Sequence, residues 1–155
     1  KTTGAVPLTL VPVKGDYARH DFARSARFLG LPFAMPANFP LATQVAARTY
    51  YWLQDQDREL ARRFALTVFR ACFTQGRDIS VPATVLEIAA GLGVDGTALA
   101  AALATPELKD RLKQETLAAQ ASGVFGAPYI VIDNEAFWGA DRLPQIEKWL
   151  ETGGF

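Results

Sequence analysis

The sequence predicts an α/β chain in which helices predominate and a single β-hairpin lies close to the C-terminus. Three observations carry that prediction. A helical apolar period runs through most of residues 16–122. It gives way after Gly123 to two short runs of β-branched and aromatic residues. Finally, 155 residues with 50% hydrophobic content are one domain's worth of chain with enough apolar surface to bury a core, which excludes a disordered chain.

The elements follow in order. Residues 1–15 hold Gly4, Pro7, Pro12 and Gly15 without a helical period, so they read as an extended loop that links two elements. From Asp16 as N-cap, a helix places Tyr17, Phe22, Ala26 and Leu29 along one face and ends at Gly30, a residue suited to a C-cap. The segment LPFAMPANFP, with three prolines in ten residues, is non-helical. ATQVAARTYYWLQDQ and RELARRFALTVFRACFTQG then resume the helical period as core-facing helices, the second ended by Gly76. Pro82 opens a short helix, Asp95 caps another, and Thr105-Pro106 starts a longer one that runs to Gly123.

Beyond Gly123, PYIVID and EAFW read as two strands joined at Asp133-Asn134, a turn pair. Asp141 caps a last helix, with Pro144 in its first turn and Gly153-Gly154 at its end. An isolated two-stranded hairpin is marginal in water, and PYIVID is apolar enough to be covered on both faces. The reading therefore asks for further strands, from another chain or from residues outside this sequence.

Composition narrows the function. Sixteen basic against sixteen acidic residues give a formal net charge of zero, so no basic excess points to nucleic acid. The balance conceals an asymmetry: residues 1–70 hold ten basic and five acidic residues and residues 71–155 six and eleven, which favours an anionic ligand near the first half or pairing within the chain. The lone Cys72 forms no internal disulfide, and no Cys-x-x-Cys or Cys/His cluster suggests zinc or dithiol chemistry. With no apolar run near the roughly 20 residues that cross a bilayer and no signal-peptide pattern, the expectation is a soluble, cytoplasmic protein without a membrane or nucleic-acid partner. Cys72 sits between Ala71 and Phe73 as a small buried hydrophobe, His20 lacks a ligand partner at metal spacing, and Trp52, Trp138, Trp149, Tyr50 and Tyr51 read as core or interface aromatics.

Within Gly123-Val-Phe-Gly-Ala-Pro-Tyr-Ile-Val-Ile-Asp133, Pro128 is on residue chemistry alone a trans proline opening a strand. A cis bond after Gly126-Ala127 would turn the Ala127 backbone outward, where it can pair with a peptide ligand. The run GVFGAPYIVIDNEAFWGADRL resembles the C-terminal signature of the 2-hydroxychromene-2-carboxylate isomerases and their relatives, the kappa-class glutathione transferases, in the DsbA-like branch of the thioredoxin fold. Val11-Pro-Val-Lys-Gly15, Tyr17-Ala-Arg-His-Asp21-Phe22, Gly30-Leu-Pro and Asn38-Phe-Pro40 agree with it, so the likeness spans essentially the whole chain.

The resemblance implies a thioredoxin-like α/β fold with a large all-helical insertion, whose N-terminal βαβ half, with the family serine in a Ser-Pro-Tyr context, lies upstream of Lys1. Residues 1–15 would link from that half, residues 16–122 would form the insertion, and residues 123–155 the closing ββα half. No catalytic residue is then assigned within the chain, and Ser25, Ser80 and Ser122 are not nucleophile activators. The activity implied is glutathione-dependent isomerisation of a small aromatic carboxylate in aromatic catabolism, through reversible addition of the cofactor thiol to an enone-like carbon. The alternatives on the same scaffold are a kappa-class-like glutathione transferase and a DsbA-family thiol-disulfide oxidoreductase, and the chain by itself could be a non-catalytic binding module.

Residue by residue, the resemblance assigns glutathione to Ala127, Pro128 as the cis proline, Ala140 and Asp141, while Asp141 as a plain helix cap remains open. Lys14 would hold the substrate carboxylate, against the alternative of a solvated lysine, and Trp138 would wall the pocket. Asp21 would position Lys14 or be a surface carboxylate. Ala5 stands where the family commonly has an Asn that helps to bind glutathione, and its side chain neither donates nor accepts. No metal is expected, and the family suggests a homodimer.

Overall fold

Short-range backbone chemistry sets most of the helix ends in the computed structural model, which describes residue 4 and residues 6–155. The described residues form seven α-helices: α1 (Lys14–Phe28), α2 (Gln44–Gln54), α3 (Arg58–Phe73), α4 (Pro82–Ala90), α5 (Gly96–Ala104), α6 (Pro106–Ala121) and α7 (Leu143–Thr152). The chain forms two compact units, residues 1–114 and 115–155.

In the first unit the Asp57 carboxylate accepts from the Glu59 and Leu60 amides at 2.9 and 3.1 Å to start α3. Asp95 does the same for α5 through Thr97 and Ala98. Pro82 and Pro106 occupy first-turn positions, where no amide hydrogen is needed. α1 ends in a Schellman motif, in which the Gly30 amide donates to the Arg27 carbonyl and the Leu31 amide to that of Ala26, with Gly30 at φ 68°. The core packs α2, α3, α4 and α5 through Leu53, Phe64, Val85, Ile88 and Leu99.

Three expectations for this unit are corrected. The loop before α1 contains a 3-10 turn at Leu8–Leu10, and α1 begins at Lys14, so Asp16 lies in its first turn instead of capping it. Gly15 is the reason: a Cβ there would come within 2.6 Å of the Thr9 carbonyl oxygen, and only glycine lets the first helical turn seat against that backbone. The face of α1 that is covered is the small one, Gly15 and Ala18, whereas Tyr17, Phe22 and Leu29 are exposed. α3 is core-facing as expected, through Ala61, Phe64, Val68, Ala71 and Cys72, yet it carries a second apolar face that is not covered. It also ends at Phe73, with Gly76 at φ 65° three residues further on.

A carboxylate turn precedes α4. Asp78 accepts from the Ser80 hydroxyl at 2.5 Å and the Ser80 amide at 2.8 Å, with the Asn38 side-chain amide at 3.4 Å, and these bonds, the Ser80 hydroxyl first, hold its pKa below the usual carboxylate value. A depressed carboxylate pKa contributes stability above its unfolded value, and that contribution is lost as pH falls through the folded value. Asp78→Asn is therefore expected to lower Tm by a constant amount near neutral pH and by progressively less below about pH 4. Paired thermal melts across that range check it, and a pH-independent gap would refute it.

The second unit contains β1 (Tyr129–Ile132) and β2 (Glu135–Trp138), antiparallel, with Tyr129 opposite Trp138 and Ile132 opposite Glu135. Asp133 and Asn134 take φ of 52° and 68°, the left-handed pair that a two-residue hairpin turn requires. Phe137 and Ile146 are buried, and the Phe137 ring meets that of Trp149 edge-on at 5.8 Å. Among the described residues β2 is the only strand paired with β1, and Val131 is 57% exposed.

Candidate functional site

The hairpin register builds the site. Tyr129 pairs with Trp138, and the Gly139 amide then donates to the Pro128 carbonyl at 3.0 Å, which brings Ala127 and Ala140 to the same end of the hairpin with Asp141 next in the chain. The Ala127–Pro128 bond is cis, where residue chemistry alone favoured trans. Ala127 and Pro128 are exposed, and neither backbone group of Ala127 has a hydrogen-bond partner among the described residues. An extended peptide can thus add to this short edge through main-chain bonds.

Beside it, Gly139 at φ 111° hands the chain into a 3-10 turn, Ala140–Arg142, that leads directly into α7. The first amides of such a turn have no partner within it and present partial positive charge. Asp141 lies inside this turn. Its side chain makes no cap bond to α7, whose N-cap is Arg142, so the reading of Asp141 as the cap of the last helix is corrected. The reason is local: the chain is in the 3-10 turn over the three residues before the α-helix begins. The exposed Asp141 carboxylate instead pairs with the Arg142 guanidinium at 3.2 Å.

Trp138 is 54% exposed, so it is not a core aromatic. Its indole lies against Gly126, where a Cβ would collide with the ring nitrogen, and meets Phe125 edge-on at 4.8 Å. On β2 a pocket of about 350 Å³ is walled by Phe137, Trp138, Arg142 and Trp149. Sequence reasoning missed Phe125, Gly126 and Arg142 as neighbours of the site. The signal for Gly126 was present, since a glycine two residues before a strand proline often marks a close approach.

Lys14 stands in the first unit as the exposed first residue of α1. Asp21 does not pair with it. Asp21 bonds to Arg24, whose guanidinium also donates to the Tyr17 hydroxyl at 2.9 Å and lies 5.6 Å from the centre of the Tyr17 ring. The reason is helical spacing: Arg24 is one turn from Asp21 and Lys14 two. Ala5 lies outside the described residues.

The remaining candidates are accounted for. The Ser80 hydroxyl donates to Asp78 and that of Ser122 to the Ala118 carbonyl. Cys72 is buried, and burial first, then the nearby Asp78 charge, pushes its thiol pKa up, the opposite of what a reactive thiolate needs. Among the described residues no group of three or more His, Cys, Asp or Glu is placed to hold a metal, and no helix is long and apolar enough to cross a membrane.

The chain is similar to known proteins. The family model of the DSBA-like thioredoxin domain matches residues 1–151. Glutathione S-transferase kappa 2 of Caenorhabditis elegans is 30% identical over 152 residues, covering 90% of this chain and 68% of that one. A 2-hydroxychromene-2-carboxylate isomerase of Pseudomonas putida is 33% identical over 139 residues, covering 88% and 65%. The chain thus spans about two thirds of the length of these curated relatives. A solved 2-hydroxychromene-2-carboxylate isomerase superposes with a TM-score of 0.87 at 25% identity, covering 97% of this chain and 72% of that one.

Proposed function

The chain belongs to the DsbA-like thioredoxin domain family, and from that premise we propose that it binds glutathione at the Ala127–Asp141 end of its hairpin and serves an isomerase of the 2-hydroxychromene-2-carboxylate type. The observation that carries the reading is the unpaired, exposed Ala127 backbone beside the turn amides and carboxylate of residues 140–141. Glutathione is an extended tripeptide with a zwitterionic end, and this donor and acceptor set fits it. The Ala127 N–H and C=O suit its main chain, the Ala140 and Asp141 amides suit its α-carboxylate, and the Asp141 carboxylate suits its α-ammonium.

When bound, glutathione supplies the thiol that adds to the substrate and leaves again, so the chemistry is the cofactor's. The chain's own residues bind and orient. The Pro128 carbonyl accepts from the Gly139 amide, which ties the residue after Ala127 to the hairpin and leaves the Ala127 backbone exposed. Trp138, braced on Phe125, supplies an exposed apolar wall. Lys14, an exposed cation of the first unit, is the residue that the resemblance offers for a substrate carboxylate. The reading includes a homodimer in the cytoplasm, the compartment that a single, buried cysteine suits. Glutathione transfer to an electrophile is the alternative activity of the same site, supported by the kappa-class relative.

Calorimetric titration with reduced glutathione tests the binding step. Asp141→Ala is expected to weaken Kd about tenfold or more, because a hydrogen bond to a charged group contributes about 1.5–3 kcal/mol. Equal affinity in the two proteins, or no binding by the wild type, would overturn the reading. Turnover assays with a 2-hydroxychromene-2-carboxylate and with a model electrophile then separate isomerase from transferase.

A further inference from the structure

The helical spacing of α3 leaves an apolar stripe on the side opposite its core face. Leu66, Phe69 and Phe73 recur at the i, i+3, i+7 positions of one face, with Arg70 beside them. Leu66 is 50% and Phe69 62% exposed, although large apolar side chains on a helix ordinarily find cover. The end of α1 and the segment after it, with Leu31 58% exposed, form the facing wall. Between the walls runs a groove of about 580 Å³, within the roughly 300–1,000 Å³ range of small-molecule sites.

Local bonds tie its walls together. The Ala34 amide donates to the Phe73 carbonyl at 2.7 Å, Phe39 meets the Phe73 ring edge-on at 5.9 Å, and the Schellman motif folds Leu31 back toward α1. Its charge is one-sided. Arg70 lines it, Thr74 and Gln75 lie beside Arg70, and no acidic residue lines it among the described residues. Arg70 is exposed and has no ion-pair partner among them.

We infer that this groove binds an amphipathic monocarboxylate, whose apolar body lies on Leu66, Phe69 and Phe73 and whose carboxylate meets the Arg70 guanidinium. The planar, permanently charged fork of Arg70 suits a carboxylate, and the neutral donors of Thr74 and Gln75 add hydrogen-bonding capacity at that end. A long apolar body without a charge would leave Arg70 unanswered, and an acidic peptide would set further charges against an apolar wall. The site lies wholly in the first unit and does not depend on the glutathione reading.

Calorimetric titration with dodecanoate below its micellar concentration tests the inference, with dodecanamide as the neutral control. Saturable one-to-one binding is expected, weakened about tenfold or more in Arg70→Gln and abolished in Phe69→Ser, while dodecanamide binds about tenfold or more weaker than the acid. Both positions are exposed, and an unchanged Tm checks that each variant is folded. Equal affinity for acid and amide, or no effect of Arg70→Gln, would overturn carboxylate recognition. Absence of saturable binding, with self-association by analytical ultracentrifugation that Phe69→Ser abolishes, would overturn the site in favour of a contact between copies of the chain.

Discussion

Phe64→Ala is expected to cost the protein about 3–5 kcal/mol of stability, because it removes a large side chain from the centre of the helical core and leaves a cavity. Phe64 is 1% exposed, on the covered face of α3 among Leu53, Val85, Ile88 and Leu99. These neighbours come from three other helices, α2, α4 and α5, packed against α3, so the backbone has little freedom to collapse into the space. In a chain of this length the loss corresponds to a fall in Tm of roughly 10 °C. Denaturant titration should show a lower midpoint with an unchanged slope. A loss under about 1 kcal/mol would mean that the core is far looser than the packing indicates.

Gly139→Ala is expected to damage both stability and the glutathione site. Gly139 takes φ 111° and ψ 149°, a region that side-chain-bearing residues essentially avoid, at a cost of about 1–3 kcal/mol. The added methyl group would also collide with the Asp141 carboxylate oxygen. The carboxylate must then move or the turn must open, and either change disturbs the amides of residues 140–141. Glutathione affinity should fall by at least as much as in Asp141→Ala, together with a lower Tm. Unchanged affinity would show that this turn does not hold the ligand.

The local signals were legible without coordinates. Asp95, Gly30 and Gly123 end or begin helices where they were read to do so, and Asp133-Asn134 makes the hairpin turn, because caps and turns depend on a few consecutive backbone groups. The candidate glutathione site is a reading by resemblance, through the run from Gly123 to Leu143. Residue chemistry alone preferred a trans proline and a helix cap at Asp141.

Other features depend on groups remote in the chain or on the joint geometry of neighbouring elements. The start of α1 at Lys14 follows from the approach of Gly15 to the Thr9 carbonyl, and the partner of Asp21 from which turn of α1 Arg24 occupies. The uncovered face of α3 is invisible to periodicity, which detects an apolar stripe but not what lies over it. Sequence by itself therefore determined the helices, the hairpin and the family, since each rests on short-range backbone preference or a contiguous motif. Tertiary structure decided which apolar faces are covered and which polar groups are left unpaired, because burial and pairing are properties of three-dimensional contact.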